Sequence, residues 1–505
     1  MKKLFFILCF LTFFPHSLHT HNYRSTLVIS LGWSNSGLGK VVDFLSKDAD
    51  VIVRSQSGSY WGHRIVIGPD GNFVLGAIPA GIANPNTKCF LTAGMDIDPE
   101  EFLKEVAFLK EQGIDPDGRL WISSKAQLIF PFHAILDAEM GKNYHGITDV
   151  GARKGTGSAS AYKRLRLGMR VETLFDQEYF KLSLNDILKF TNELIRLFGY
   201  ENPVCKQSCL NHTFFNSLHL EEEKNTQETF DNANKKETDF LKKCISTCTI
   251  KPFDFETLQK QYMAYAKQLR PYVRDDVELR INKYILEGKK IIIGGSQGSQ
   301  LDLLLGTHPY VAPMTTSAAG ICAGAGIGPT RIGHTLGVVT AYMTRIGAGP
   351  FPSEIKDLHV LKKIKKAQKK TCFNLVTNAR HGWIDLVLIR EAILINGVDS
   401  IIISKLDDLD ELDEIFICYD YMIDGKPYDY FPSNSLLYKK IKPVYLKPLP
   451  GWKKSTRHAK KFTDLPPEAR DFVKKIEMFC GVPVSYVSVG PHHSHIIMVK
   501  DLLPW

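Results

Sequence analysis

The sequence predicts an α/β fold, built as one large domain around a mostly parallel central sheet. Residues 24–200 alternate apolar runs typical of buried strands with amphipathic stretches typical of helices, which is the rhythm of βαβ units. Two further strand-like runs, at 291–295 and 401–407, end in glycine or polar residues. A chain of 505 residues can form one large domain or two to three smaller ones. Because neither an internal repeat nor a clear interdomain linker is visible, we expect one domain.

The first strand leads into a loop suited to binding phosphate. Residues 27–31 are typical of a buried strand and residues 41–45 of a helix start, with a glycine-rich segment between them. Free backbone N–H groups and the helix dipole point into such a loop, so the arrangement is P-loop-like. Phosphoryl transfer in it also requires a carboxylate and a lysine. The residues in the middle of this loop are instead Ser34, Asn35, Ser36, Gly37 and Leu38.

The remaining elements are predicted from periodicity and from glycine-rich punctuation. They are an amphipathic helix at 99–111, a strand at 126–130, a glycine- and serine-rich loop at 146–162, glycine-rich turns after residue 293 and at 320–328, a lysine-dense helix at 361–370, and a strand with its turn at 484–491. Polar groups follow the last two strands, at 404–407 and 488–491. Together they are suited to closing round a purine base, because Asp407 can accept hydrogen bonds from the N1 and N2 hydrogens of guanine.

The N-terminal residues 1–21 have the pattern of a signal peptide. Two lysines precede an apolar run from Leu4 to Phe14 that is too short to span a bilayer, and Pro15 ends it. No clear small-residue cleavage site follows, so an uncleaved anchor or a misassigned start is the alternative. We expect a secreted, secretory-pathway or periplasmic protein. No later segment reaches membrane-spanning length without charges, so no membrane association is expected for the mature form.

A cysteine-bearing insertion is predicted at 203–252. Cys205 and Cys209, like Cys244 and Cys248, are spaced by four residues, which places each pair on one face of a helix. Two antiparallel helices would then be joined by Cys205–Cys248 and Cys209–Cys244 disulfides, in keeping with an oxidising compartment. A zinc site with four thiolate ligands and four unpaired thiols remain the alternatives.

The charge distribution is a weak guide to partners. The formal net charge of +9 suits anionic ligands such as nucleotides, but it is modest for this length and does not predict nucleic-acid binding. The lysines of the 361–370 helix are interpreted as a solvated face, with a polyanion or membrane patch as the alternative. The acidic run 407–414 is interpreted as a mostly solvated turn, with Asp407 as the exception.

Nine segments, in this order, resemble the adenylosuccinate synthetase family from about Leu27 to Ile497, with the insertion as an interruption. The segments that carry the resemblance are 50–63, 78–82, 295–311, 324–330, 345–352, 382–385, 404–407, 450–452 and 488–491. The resemblance implies a single family domain over 22–505. It also implies GTP-dependent joining of IMP and aspartate through a 6-phosphoryl-IMP intermediate, with Mg²⁺, in a homodimer with a shared site.

The resemblance assigns the catalytic positions to Asn35 and His63. The family loop reads W-G-D-E-G-K-G-K, and its catalytic aspartate falls on Asn35. An amide neither accepts a proton at neutral pH nor binds Mg²⁺ as a carboxylate does. His63 matches the histidine that stabilises the phosphate in transit, although a structural histidine is the alternative reading.

The binding residues follow from the same matches. The resemblance assigns GTP contacts to Gly37, Gly39, Lys40, Gly62, Lys405, Asp407, Ser488 and Gly490, with the backbone of Gly62 also near the metal. It assigns the IMP site to Gln297, Arg166 and Arg380. Arg380 is also all that remains of the cationic fork that holds the carboxylates of aspartate in the family.

Two hypotheses about function remain from the sequence. The first is a working nucleotide ligase of this family, with a substrate phosphate oxygen replacing the lost base. The second is an exported, catalytically impaired homologue that keeps a purine-nucleotide pocket, or only the fold, and acts through binding. Export favours the second hypothesis, because GTP is expected to be scarce outside the cytosol. The intact guanine-binding residues favour the first, or at least retained nucleotide binding. On balance we expect impaired catalysis.

Overall fold

The computed structural model describes residues 23–33, 35–58, 63–67, 71–143, 154–198, 253–369 and 379–505. The helices are α1 (Leu38–Ser46), α2 (Pro99–Glu111), α3 (Pro131–Asn143), α4 (Thr156–Leu165), α5 (Gln177–Leu197), α6 (Phe255–Leu269), α7 (Val277–Leu286), α8 (Ala318–Ala325), α9 (Leu358–Lys369), α10 (Leu386–Asn396) and α11 (Pro467–Cys480). The strands are β1 (Ser25–Ser30), β2 (Val51–Arg54), β3 (Ser57–Gly58), β4 (His63–Ile67), β5 (Gly71–Leu75), β6 (Lys88–Leu91), β7 (Met95–Ile97), β8 (Leu120–Ser123), β9 (Gln127–Leu128), β10 (Val273–Arg274), β11 (Ile291–Gly298), β12 (His334–Thr340), β13 (Met343–Ile346), β14 (Ala379–Gly382), β15 (Ile384–Asp385), β16 (Ser400–Ser404), β17 (Glu414–Ile415), β18 (Ile417–Ile423), β19 (Lys426–Tyr428), β20 (Lys442–Tyr445), β21 (Leu449–Pro450), β22 (Val484–Ser488) and β23 (Ile496–Met498).

A central sheet organises the molecule. Among the described residues it has ten strands, in the order β10-β8-β6-β2-β11-β1-β12-β16-β22-β23. All neighbours are parallel except β22 and β23, which are antiparallel. The inner strands β1, β12 and β16 are buried along their whole length, as expected where helices cover both faces of a parallel sheet. The prediction of an α/β fold with a mostly parallel central sheet is confirmed.

Most predicted elements have the predicted type. The helix predicted at 99–111 is α2 with those bounds, and the lysine-dense helix is α9. The predicted strand at 291–295 continues to Gly298, so residues assigned to a turn belong to β11. The signal peptide and the cysteine-bearing insertion lie outside the described residues, and both stay predictions.

Helix α4 corrects the prediction of a loop at 146–162. Its N-terminus has no capping side chain of its own, and Gly155 precedes it in a left-handed conformation with φ of 90°. Asp137, on α3, accepts hydrogen bonds from the backbone N–H groups of Gly155 at 2.8 Å and Ser158 at 2.7 Å. A carboxylate from another helix thus replaces the local cap that the sequence lacks.

Helix α8 corrects the prediction of a turn at 320–328 in the same way. The Asn396 side chain accepts from the Ala318 N–H at 2.7 Å, and Asp302 accepts from the Ser317 N–H at 2.7 Å. The glycine-rich turn begins only at Gly326, which is left-handed with φ of 64°. Two polar groups distant in sequence therefore start a helix in a segment of small residues.

Two apolar layers cover the sheet. One groups α7 and α10 with the side chains of β1, β11 and β16 that face them, and the other groups α1, α2 and α5 with the opposite face. Within the described residues, no helix combines the length and the apolar character needed to cross a membrane.

Candidate functional site

The predicted site residues follow neighbouring strands of the central sheet. Strands β11, β1, β12, β16 and β22 are adjacent in that order, and they run parallel. Gln297 lies near the end of β11, Lys40 follows β1, Asp407 follows β16, and Ser488 ends β22. The carboxyl ends of parallel strands meet at one edge, where open α/β sheets bind their ligands. The fold therefore brings these residues to one edge of the sheet.

The loop after β1 ends in a helix N-terminus without a side-chain cap. Gly37 takes the N-cap position in a left-handed conformation, with φ of 81°, and the first turn of α1 has no acidic residue. Ser404, at the end of β16, donates from its hydroxyl to the Ser36 carbonyl at 2.6 Å and holds the loop against the sheet. Asn35 is exposed at φ of 56°, a conformation that asparagine and aspartate tolerate. The loop is thus built to receive an anion.

The base of this loop is packed on Trp33 and on the turn after β11. Trp33 is 1% exposed, and its indole N–H donates to the Thr307 hydroxyl at 3.3 Å. The guanidinium of Arg345 stacks over the indole at 4.8 Å from the ring centroid. Gly298 has no room for a side chain, because a Cβ there would lie 1.9 Å from the Gly32 carbonyl oxygen. The loop backbone and the β11 turn are therefore in tight contact.

Asp407 is the buried carboxylate of the predicted base site. It is 5% exposed at the start of a short 3-10 helix (Leu406–Leu409), directly after the left-handed Lys405 with φ of 60°. Burial raises the pKa of Asp407, and the positive charges of Lys40 and Arg457 oppose this shift. The Lys405 ammonium lies 5.9 Å from the centroid of the Tyr342 ring. A buried acceptor and a cation therefore lie close together directly after β16.

The acidic run 407–414 is not the mostly solvated turn that was predicted. Asp408 is 3% exposed, and the Tyr342 hydroxyl donates to it at 2.7 Å. Burial and the neighbouring Asp407 raise the pKa of Asp408 to about 7. Asp413 is exposed and pairs with Lys363 of α9 at 2.6 Å. Glu411 pairs with Lys366 of the same helix at 3.4 Å, so the basic helix and the acidic run neutralise each other in part.

Lys40 connects the phosphate loop with the last strand. Its ammonium donates to the Gly490 carbonyl oxygen at 2.7 Å and to the Ser488 hydroxyl. These three residues were predicted together as GTP contacts, and the structure brings them into direct contact. His493, which follows them, pairs with Asp43 of α1 at 3.0 Å. Burial raises the pKa of Asp43 to about 6, and this pair ties α1 to the turn after β22.

Gln297 presents an unused acceptor. Gln297 is 5% exposed, and its Oε1 atom has no hydrogen-bond partner among the described residues. The neighbouring Ser296 hydroxyl is buried and likewise lacks a partner within that part of the chain. Buried polar atoms are normally hydrogen-bonded, so each such group calls for an explanation. A ligand that donates an N–H group would satisfy Gln297.

Arg380 is engaged by a carboxylate of the same chain. Its Nε and Nη2 atoms donate to the two oxygens of Glu354 at 2.8 and 2.9 Å, and Nη1 donates to the Gly349 carbonyl at 2.9 Å. This fork holds the pKa of Glu354 down at about 2. A substrate carboxylate would have to replace Glu354 in order to use Arg380, because the pairing is already bidentate.

The remaining predicted residues lie elsewhere or outside the description. Arg166 is exposed after α4, and that helix packs on α3 and on the small β3-β7-β9 sheet rather than on the phosphate loop. His63 is the first residue of β4, and its side chain is outside the described part. Gly62 and the four insertion cysteines are outside it as well.

Arg457, a cation next to Asp407, was not identified from the sequence. Arg457 donates from Nε to Asp407 at 3.3 Å. It is separated from Asp407 by fifty residues, and no motif marks it. Trp452 and Thr456 hold the segment of Arg457 on Asp410. The one sequence signal for these contacts is the Pro450-Gly451-Trp452 match, which includes Trp452 and lies close to Thr456.

The residues present do not fit the Mg²⁺ ion that the resemblance implies. Mg²⁺ is usually held through one or two carboxylates together with substrate phosphates. The phosphate loop offers the Asn35 amide and the Ser36 hydroxyl at the positions in question. Within the described ranges, no three His, Cys, Asp or Glu side chains are grouped as metal ligands. The chemistry of this donor set therefore departs from that of a carboxylate-held Mg²⁺ site.

Comparison with known proteins places the chain in a family. The family model described as adenylosuccinate synthetase matches residues 27–216 and 204–497. The adenylosuccinate synthetase of Synechococcus elongatus is 35% identical over 483 residues, which cover 94% of this chain and 95% of that protein. The enzyme of Clostridium novyi is 34% identical over 478 residues, covering 94% of this chain and 99% of that protein.

Comparison with solved structures agrees with this family assignment. The fully ligated adenylosuccinate synthetase of Plasmodium falciparum superposes with a TM-score of 0.77 at 25% identity, covering 95% of this chain and 100% of that one. The succinoaminodeoxyadenylate synthetase of cyanophage S-2L shares the fold, with a TM-score of 0.53 at 16% identity, over 95% of this chain and 96% of that one. The chain therefore belongs to the adenylosuccinate synthetase family.

Proposed function

We propose that this protein binds a guanine nucleotide in the family's GTP site while its ligase chemistry is impaired. Adenylosuccinate synthetases bind GTP, IMP and aspartate and depend on Mg²⁺. The observation that carries the proposal is a contrast between two positions at one sheet edge. Asp407 is a buried carboxylate suited to guanine, whereas Asn35 is an amide where the family has its catalytic aspartate.

Nucleotide binding is supported by polar groups that converge at one edge of the sheet. Lys405 and Asp407 flank the predicted base position, and Lys40, Ser488 and Gly490 are joined by hydrogen bonds. The uncapped N-terminus of α1 supplies backbone N–H groups for a phosphate. The unpartnered Oε1 of Gln297 supports a second purine, because it can accept from the N1–H of an inosine base.

Impaired catalysis is supported by two independent changes. Asn35 cannot take the N1 proton of IMP, which must leave as O6 is phosphorylated. Arg380 is paired with Glu354 and belongs to a loop that has lost the other cations of the aspartate-binding fork. Each charge-assisted hydrogen bond that is missing weakens aspartate binding by about 1.5–3 kcal/mol.

A working ligase is the second candidate. It is favoured by 35% identity to an adenylosuccinate synthetase over 94% of the chain. In this case a phosphate oxygen of the substrate takes the proton in place of the missing carboxylate. In either case we propose a homodimer, in which the exposed Arg166 reaches the site of the partner subunit, and export directed by residues 1–21.

Calorimetric titration of the purified mature protein tests the binding part of the proposal. We expect GTP to bind with micromolar affinity, and ATP to bind at least about tenfold more weakly, because the 6-amino group and N1 of adenine do not offer Asp407 the two donors of guanine. IMP is expected to bind independently of GTP. Equal affinity for GTP and ATP, or the absence of binding at millimolar nucleotide, would contradict the proposed guanine site.

A further inference from the structure

The segment after β21 is held next to the predicted base site by hydrogen bonds to Asp410. Asp410 accepts from the Trp452 indole N–H at 2.7 Å, from the Thr456 N–H at 2.9 Å and from the Thr456 hydroxyl at 2.9 Å. Trp452 is 4% exposed and Thr456 is 1% exposed, so both anchors are buried. Arg457 directly follows the second anchor. Its backbone position is therefore fixed by contacts that do not involve the nucleotide residues.

Arg457 covers the carboxylate that the base would use. Its Nε atom lies 3.3 Å from Oδ2 of Asp407, and the Asp407 side chain is 3% exposed whereas that of Arg457 is 31% exposed. The arginine is therefore the more exposed member of this pair. Lys40 contributes a second positive charge to the same carboxylate. Asp407 thus has two cations of its own chain nearby, and one of them is in hydrogen-bond contact with it.

A guanidinium and the guanine edge offer a carboxylate the same kind of contact. Guanine presents its N1–H and N2–H donors side by side, and arginine presents its N–H donors in a planar fork. Arg457 contacts Oδ2, one of the two oxygens that the guanine edge would use. A guanine base that binds Asp407 through both donors therefore has to displace Arg457 from Oδ2, whereas the phosphates of the nucleotide make no such demand.

We propose that Arg457 is a specificity-determining residue that competes with the guanine base for Asp407. This inference rests on the proposed guanine site and deepens it. Because Arg457 has to be displaced from Oδ2, the wild-type protein gains only part of what the 2-amino group of guanine can contribute, so its preference for guanine over hypoxanthine nucleotides is reduced. Removing the competitor makes the carboxylate fully available, which strengthens GTP binding and increases the preference for the 2-amino group.

The test compares GTP with ITP, which lacks the 2-amino group, in titrations of the wild-type protein and of two variants. Arg457→Met removes the donors and keeps much of the stem, and it is expected to tighten GTP binding about tenfold with little effect on ITP. Arg457→Lys keeps the charge but loses the fork, and we expect an intermediate affinity for GTP. Lys454→Met is the matched control, since it removes an exposed positive charge from the same segment. This variant should bind both nucleotides slightly more weakly, because one distant positive charge no longer attracts the anionic ligand.

The outcomes separate the inference from the proposed function. Wild-type binding of GTP, with unchanged or weaker binding by Arg457→Met, would show that Arg457 is neutral or is itself a nucleotide contact, and would overturn the inference alone. Failure of both proteins to bind GTP would overturn the guanine site together with the inference. The ratio of GTP to ITP affinity within each protein is independent of its folded fraction, so partial misfolding of a variant does not obscure the result.

Discussion

Replacing Asp407 with asparagine is expected to weaken GTP binding by at least about 100-fold. In the proposed site, the buried Asp407 accepts from both donors of the guanine edge, and each hydrogen bond to a charged group contributes about 1.5–3 kcal/mol. The asparagine amide keeps one acceptor but directs an N–H group at the 2-amino group of guanine, leaving two donors face to face. Xanthosine triphosphate has a carbonyl at that position, so its binding should improve in Asp407→Asn. Nucleotide titration by calorimetry measures both effects.

Asp408→Asn is the matched control for this prediction. The side chain is adjacent and equally buried, but it is held by the Tyr342 hydroxyl rather than directed at the base site. Since burial and Asp407 raise the pKa of Asp408 to about 7, the substitution changes its average charge less than it would at an exposed site. GTP affinity should remain within a factor of about three. A comparable loss in both variants would mean that the acidic run acts through its overall charge.

Replacing Asp302 with alanine is expected to lower the free energy of unfolding by about 4 kcal/mol or more. The carboxylate is fully buried, and it accepts from the backbone N–H groups of Leu304 at 2.9 Å, Leu305 at 3.1 Å, Thr316 at 2.6 Å and Ser317 at 2.7 Å. Each buried donor left without a partner costs about 1–3 kcal/mol. Urea unfolding followed by circular dichroism measures the loss.

Two variants control for the Asp302 result. Asp302→Asn keeps one carbonyl oxygen, which can retain two of the four donors, so we expect about half of the destabilisation. Asp471→Ala removes an exposed carboxylate that pairs with Lys475 at 3.7 Å, and a surface pair of this kind contributes less than about 1 kcal/mol. If Asp302→Ala were as mild as Asp471→Ala, water or a backbone shift would be replacing the carboxylate.

The sequence predicted elements whose signals are local. Helix α2 has the bounds that its amphipathic pattern predicted, and in the structure Asp98 caps it and Pro99 opens it. The parallel strands are apolar runs bounded by turn residues. Helices α4 and α8 were missed because their N-termini are held by Asp137, Asp302 and Asn396, which are distant in the chain. A segment of glycine, serine and alanine has the composition of a loop, and only the tertiary fold supplies its cap.

In the candidate site, too, the sequence predicted some residues but not the contacts that they make with distant segments. Lys405, Asp407, Ser488 and Gly490 were predicted from a family resemblance, and the parallel sheet accounts for their meeting. The partners that decide whether such residues are available were not predictable. Glu354 accepts hydrogen bonds from the guanidinium of Arg380, and Arg457 donates to Asp407. Each pair joins two segments that no sequence motif connects.

The central claim is that this pocket binds a guanine nucleotide but holds an amide, Asn35, at the position where the family has the carboxylate that takes the proton from IMP. Phosphate release measured with saturating GTP, IMP, aspartate and Mg²⁺ tests it most directly, with Asp407→Asn as the control that should abolish any release due to bound GTP. The claim predicts that release by the wild-type protein is independent of aspartate and at least about 1,000-fold below an ordinary turnover of about 1–10 per second. Aspartate-dependent release at about 1 per second, with adenylosuccinate as the product, would contradict it.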